Sequence, residues 1–256
     1  MHSLRTNPVY LITILVMLIQ IPLVFSGFAS EKKPVVSATY WSEINSPVKT
    51  KEADLADATT SSHLYNSLEL EAKGLSRSAF TTALEGYTKL LENGTIQEKG
   101  ILTIADFSLA SSKERLFVID LSTQKVLIRS LVAHGRNSGL EYAKSFSNIP
   151  ESNKSSLGFY LTLGTYEGSN GYSMQLKGLE KNINGKAYER AIVMHGADYV
   201  SASYARSKGY IGRSLGCPAI PSAQNKKIIN TIKNGTILFI YHPNTDYLKK
   251  SDILNS

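Results

Sequence analysis

The chain has 256 residues and a formal charge of +7, from 28 Lys and Arg against 21 Asp and Glu. Its 42% apolar and 19% charged residues suit a folded domain and exclude wholesale disorder. The basic excess comes without a basic stripe interleaved with aromatics, which points to anionic envelope polymers rather than nucleic acid.

Residues 1–29 read as a signal peptide or an uncleaved membrane anchor. Arg5 precedes an apolar run from Val9 to Phe25, and Gly27-Phe28-Ala29 offers small side chains for cleavage after Ala29. The run is somewhat short for a span of roughly 20 residues, and Gln20 and Pro22 favour cleavage. Either fate places the rest of the chain outside the cytoplasm, in a periplasm or cell envelope, and membrane attachment would run through this segment alone. Residues 30–61, rich in Lys, Ser, Thr and Asp, read as a flexible linker.

Residues 62–94 read as a helical segment. Leu64, Leu68, Ala72 and Leu75 recur near helical spacing, with a stop at Gly74. Ser76 then caps a second helix whose apolar face is Phe80, Ala83, Leu84, Tyr87 and Leu91, closed by Asn93-Gly94.

Residues 95–245 change pattern. Short apolar and aromatic runs over 101–107, 115–120, 125–133, 158–166, 191–195 and 236–241 are separated by turn residues and read as strands. One helix interrupts late, with Ser222 as its cap and Ile228, Ile229 and Ile232 on one side. Strands mostly follow strands, so the fold class is α+β, mainly β, with a sandwich or barrel-like core, short N-terminal helices and one helix after Cys217. The polar stretches 135–158 and 167–190 read as long loops of the kind that carry binding residues, with a surface excursion of no role as the alternative. Residues 246–256 read as a tail.

Two candidate nucleophiles lie in Gly212-Arg213-Ser214-Leu215-Gly216-Cys217-Pro218. Ser214 fits G-x-S-x-G, but the chain lacks the acid-then-histidine order that a nucleophile elbow requires downstream, so its ordinary role is a loop serine bonding to backbone. Cys217 is the only cysteine, and a lone one in an exported domain forms no internal bridge. Its bland reading is a small buried hydrophobe. Pro218 holds it extended, near the start of the late helix, where dipole and free amides would favour a thiolate. His195 ends the run Ala191-Ile192-Val193-Met194 and opens into Gly196, in reach of a loop; a satisfied core histidine is the alternative. The amides of Gly216 and Cys217 are candidate oxyanion donors. Zinc held by His195, Asp198 and His134 or His242 is a rival without an H-E-x-x-H or a compact ligand spacing.

The segments "IVMHGADYV" and "GRSLGCPAIP" resemble the bacterial L,D-transpeptidase catalytic domain (YkuD-type fold), and within it the murein L,D-transpeptidase catalytic domain family. "LFVIDLSTQKVL", "VAHGRNSG", "FSN", "SSLGFYLTLGTYEG" and "GLEKNIN" agree with it in order, over roughly residues 76–243. The resemblance implies Cys217 as nucleophile, His195 as base and Gly216 beside them, with a backbone carbonyl orienting the imidazole. It implies a peptidoglycan stem-peptide substrate and no cofactor. The cysteine would displace the terminal D-alanine to form a thioacyl enzyme, resolved by an amine acceptor; water instead would give an L,D-carboxypeptidase. A non-catalytic peptidoglycan-binding protein is the alternative from another class. Arg213, Ser214, His134 and Gly196 are the substrate-binding candidates, Arg213 for a carboxylate and His134 as a cleft wall. The chain departs from the commoner Ser-His-Gly-Cys pattern: Leu215 stands where its second histidine would be, and Pro218-Ala219 follow the cysteine.

Overall fold

Helix α2 (Arg77–Glu92) buries Ala79, Phe80, Ala83, Gly86, Tyr87 and Leu90. These are three or four residues apart, so one face of the helix meets the core. Ser76 caps it, its Oγ accepting from Ala79 N at 3.3 Å. The same hydroxyl donates to Asp106 Oδ2 at 2.6 Å, which fixes the helix start against the end of a strand. The computed structural model describes residues 60–97 and 99–256. The leader and nearly all of the linker read for residues 1–61 lie outside the described residues. Ahead of α2 the chain is helical over 60–67, and a single turn, α1 (Leu70–Lys73), ends at Gly74 with φ 87°.

Eight strands follow: β1 (Ile101–Asp106), β2 (Leu116–Asp120), β3 (Lys125–Ser130), β4 (Gly158–Gly168), β5 (Gly171–Gly178), β6 (Val193–Ala197), β7 (Ala219–Pro221) and β8 (Ile237–Tyr241). They form one sheet in the order β3-β2-β1-β8-β4-β5-β6-β7. The β1–β8 and β6–β7 pairs are parallel and the others antiparallel. The central strand β8 is buried at all five positions, as its unbroken Ile-Leu-Phe-Ile-Tyr requires, whereas β3, at the end of the order, alternates. Just beyond β3, Ala133 N–H donates to Ala219 O of β7 at 2.7 Å. That bond joins the two ends of the strand order, and the result is a mainly β, nearly closed barrel-like sheet with a few short helices. Short helices α3 (Ala202–Lys208), α4 (Asn225–Ile232) and α5 (Thr245–Lys250) decorate it.

The expected strands are present, but three local expectations change. The stretch 167–190, read as loop, contains β5. Its hairpin with β4 closes at Gly168–Gly171, and Met174 and Leu176 enter the core, alternating with polar Ser173, Gln175 and Lys177 as in a half-buried strand. Ser222 does not cap an α-helix; it opens a 3-10 turn (Ser222–Gln224), and α4 begins at Asn225, burying Ile228, Ile229 and Ile232. Residues 246–256 are not a bare tail. Asn244 caps α5, and Ser251 Oγ donates to the buried carboxylate of Glu180.

Candidate active site

Parallel pairing of β6 with β7 builds the site. His195 registers with Ala219 and Gly196 with Ile220. Two residues before Ala219, Cys217 lies beside Val193, whose N–H points at Sγ at 3.5 Å. Val193 and His195 point to the same face of β6, two residues apart. Sγ also approaches Ala191 O at 3.8 Å, the geometry of a weak S–H donor. Ala191 has φ 52°, a conformation that carries strain for a residue with a Cβ and that aims this carbonyl at the thiol. Cys217 is half-buried. Burial pushes its thiol up, while the Val193 N–H, the Arg190 guanidinium and the residue's own N–H draw it down.

His195 sits inside β6, not at its end, and is buried. Its Nδ1 lies 3.0 Å from Gly196 O. A carbonyl only accepts, so Nδ1 carries a proton, and in the neutral ring Nε2 is the acceptor. Gly196 is therefore a strand residue that supplies this carbonyl. A Cβ there would come within 3.0 Å of the Asn225 side chain, so only glycine fits without displacing the start of α4.

The turn before Cys217 is held by Ser214. Its Oγ donates to Cys217 O at 2.6 Å and accepts from Gly216 N at 3.1 Å. Ser214 is thus a buried turn residue. The Gly216 amide is already engaged, which removes one of the two oxyanion donors expected from sequence and leaves the Cys217 N–H. Gly216 has φ 127°, and a Cβ on it would meet Lys154 O at 2.9 Å and Ile192 Cδ1 at 3.1 Å. The expected helix dipole is absent too, because β7 and a 3-10 turn separate Cys217 from α4.

One basic group takes a place other than the one expected. His134 does not line a cleft: it is fully buried, its Nδ1 accepting from Arg115 Nη2 at 2.8 Å and its Nε2 lying 3.3 Å from Gly139 O. Burial and the adjacent Arg115 cation push its pKa down to about 3, so it stays neutral. Its backbone carbonyl receives Ser214 N at 3.0 Å. Arg213 is exposed and spends Nη1 on Arg136 O and Gly139 O, both at 3.1 Å, tying the 135–143 loop to the nucleophile turn. Leu215, at the position of the missing histidine, is 63% exposed.

Sequence reasoning missed Arg115 and Arg190. Arg115 is wholly buried, bonded to Leu109 O and Val132 O, with its guanidinium 4.6 Å from the centre of the Phe107 ring. Arg190 reaches the far side of Gly216. Both look like ordinary strand or loop cations in sequence, and only long-range packing gives them roles. The 135–158 loop is fastened in place: Gly135 N donates to Ser155 Oγ at 3.0 Å, and Ser155 Oγ to Gly216 O at 3.1 Å.

A cavity of about 880 Å³ lies past the C-terminal ends of β6 and β7, lined by Lys113, Asp198, Ser201, Arg206, Pro221 and Gln224 among others. Neither Cys217 nor His195 lines it. Among the described residues no cluster of three His, Cys, Asp or Glu is arranged to hold a metal ion, and no helix is long and apolar enough to cross a membrane.

These features define a mainly β domain with a histidine on β6 and a cysteine in the turn that leads into the adjoining parallel strand β7. The L,D-transpeptidase catalytic domain family matches residues 71–241, about two thirds of the chain, and the chain belongs to that family. Similar solved structures include an L,D-transpeptidase from Mycobacterium smegmatis, at 12% identity over 56% of this chain and 59% of that one, with a TM-score of 0.35. Another is an L,D-transpeptidase from Stackebrandtia nassauensis, at 15% identity over 65% of this chain and 68% of that one, with a TM-score of 0.34. The chain thus spans well under two thirds of the length of the Mycobacterium smegmatis structure. No curated protein matches the chain.

Proposed function

We propose that the chain is a peptidoglycan L,D-transpeptidase working outside the cytoplasm, with Cys217 as nucleophile and His195 as general base. The observation that supports it best is the pairing of β6 with β7. It brings the thiol to 3.5 Å from Val193 N, two residues along β6 from His195, whose Nδ1 lies 3.0 Å from Gly196 O.

In this reading His195 Nε2 takes the thiol proton and the sulfur attacks the carbonyl of the third stem residue. The oxyanion faces the Cys217 N–H; one such donor contributes roughly 3 kcal/mol to transition-state stabilisation. The tetrahedral adduct collapses by breaking the bond to the terminal D-alanine, whose amine leaves with the proton from the imidazolium. A thioester remains. An acceptor amine then gives its proton to His195 and attacks the thioester, forming the cross-link and returning the sulfur as thiol. Water as acceptor would make the product a trimmed stem.

One observation favours a second reading, a domain that binds wall stems without turning them over. Burial raises the thiol, and apolar Leu215 stands beside it. Incubation with purified muropeptides and mass spectrometry separates the two. Dimers or trimmed stems, with a thioester trapped on Cys217, are expected; their loss in both Cys217→Ala and His195→Ala is the second expectation. Muropeptide binding with no product and no acylation would establish the binding module instead.

A further inference from the structure

The segment Arg190-Ala191-Ile192-Val193 wraps the nucleophile on three sides. Ala191 supplies a carbonyl to Sγ, Val193 an N–H, and Arg190 a cation. The guanidinium packs against the nucleophile turn, where a Cβ on Gly216 would lie 3.4 Å from its Nη2. Four neutral acceptors from the 135–158 loop hold it there. Nη1 donates to Ser147 O at 2.8 Å and Ser156 Oγ at 2.7 Å; Nη2 donates to Lys154 O at 2.7 Å and Ser152 Oγ at 3.3 Å. Its Nε is buried and has no hydrogen-bond partner. The ion pairs among the described residues join Lys73 to Glu69, Lys89 to Glu85 and Arg129 to Glu114, so no carboxylate neutralises Arg190.

A cation anchored by dipoles alone keeps its full charge for whatever anion forms beside it. We propose that Arg190 is a positioning residue that sets the ionisation of Cys217, its uncompensated charge holding the thiolate. This rests on Cys217 being the nucleophile. Fixed acceptors on both guanidinium ends prevent it from swinging out to water, and the loop that fastens it is itself tied to Gly216 through Ser155. The strained Ala191 works in the opposite sense, since its carbonyl stabilises the S–H form, and the cation counters both that carbonyl and burial, which raises the thiol. The other titratable groups whose charge is felt at the sulfur are Tyr160 and Tyr199. Burial raises both tyrosines, which stay neutral at working pH. Lys154 turns its Nζ to Ser145 Oγ at 2.7 Å.

Because the chain has one cysteine, iodoacetamide alkylation of the full chain against pH reads that thiol alone. Arg190→Gln keeps a hydrogen-bonding side chain without charge; Arg190→Lys keeps the charge without the fork. The expected result is that R190Q moves the alkylation midpoint up by about one unit, the low end of what a neighbouring opposite charge gives, with about a tenfold slower reaction below the midpoint. R190K stays within a few tenths of a unit of the unsubstituted chain even though its melting temperature falls. Equal midpoints in all three proteins would make Arg190 a loop fastener only and overturn the inference, as would an equal shift in both variants. Should R190Q fail to fold, R190K decides: a full-unit rise there overturns it, and an unmoved midpoint in the less stable protein supports it. Transpeptidation surviving in Cys217→Ala would instead remove the nucleophile reading, whatever the midpoints show.

Discussion

The Ser214 hydroxyl donates to the carbonyl of Cys217, three residues on, at 2.6 Å. It also accepts from the Gly216 amide, so one buried hydroxyl closes the turn that presents the sulfur. The serine that fits a hydrolase pattern is engaged by backbone on both sides. Ser214→Ala leaves a buried N–H unsatisfied, a loss of about 1–3 kcal/mol. The expected outcome is a lower melting temperature and reduced but measurable turnover of muropeptides, against none for Cys217→Ala. A dead Ser214→Ala of unchanged stability would reverse the assignment of nucleophile.

Gly216 is a tight point of the site. With φ at 127° and Lys154 O 2.9 Å from where a Cβ would sit, any side chain strains the backbone and pushes on the loop. Gly216→Ala is expected to lower kcat/KM by at least tenfold, because the sulfur and the loop move apart together. Steady-state kinetics beside a thermal melt check this, and wild-type kcat/KM would contradict it.

The pH dependence of stability follows from His134. Its ordinary value is 6.5 and its folded value is about 3, lowered first by burial and then by the Arg115 charge. Between those values the unfolded chain binds the proton and the folded chain does not, so this contribution is complete above pH 6.5 and is lost as pH falls toward 3. His134→Asn keeps an acceptor for Arg115 and removes the titration. Urea unfolding at pH 7 and pH 4.5 should show a smaller difference for H134N than for the unsubstituted chain; equal differences would show that His134 does not carry the effect.

Gly86 lies in the middle of α2, where alanine is ordinarily better by about 1 kcal/mol. Here a Cβ would fall 2.0 Å from Phe159 Cζ, and Phe159 is stacked on Phe239 at 4.2 Å with no room to retreat. Gly86→Ala is therefore expected to destabilise by about 1–3 kcal/mol through overpacking, read as a drop in the midpoint of chemical unfolding. A stabilised variant would show that the helix shifts on the sheet at little cost.

The sequence by itself determined the parts whose cause is local or periodic. Residues Phe80, Ala83 and Tyr87 recur at helical spacing and face the core. The apolar run 237–241 admits only a strand buried on both sides, and Ser76 caps because a hydroxyl there satisfies a free amide. The lone cysteine before proline and the histidine in an apolar run were enough to select Cys217 and His195 as candidates. The tertiary structure alone decided what depends on contacts distant along the chain. Strand β7 has only three residues, too few to show a pattern, and it is a strand through its pairing with β6. His134 was expected at a cleft and lies in the core because Arg115, nineteen residues earlier, needs an acceptor there. The Gly216 amide was lost as an oxyanion donor to the Ser214 hydroxyl, and Arg190 came to the Gly216 turn because a loop 34 to 43 residues away supplies its acceptors. Residue type fixes what chemistry a side chain can perform; which groups share a site, and in what protonation state, depends on the field and packing that closure of the sheet creates.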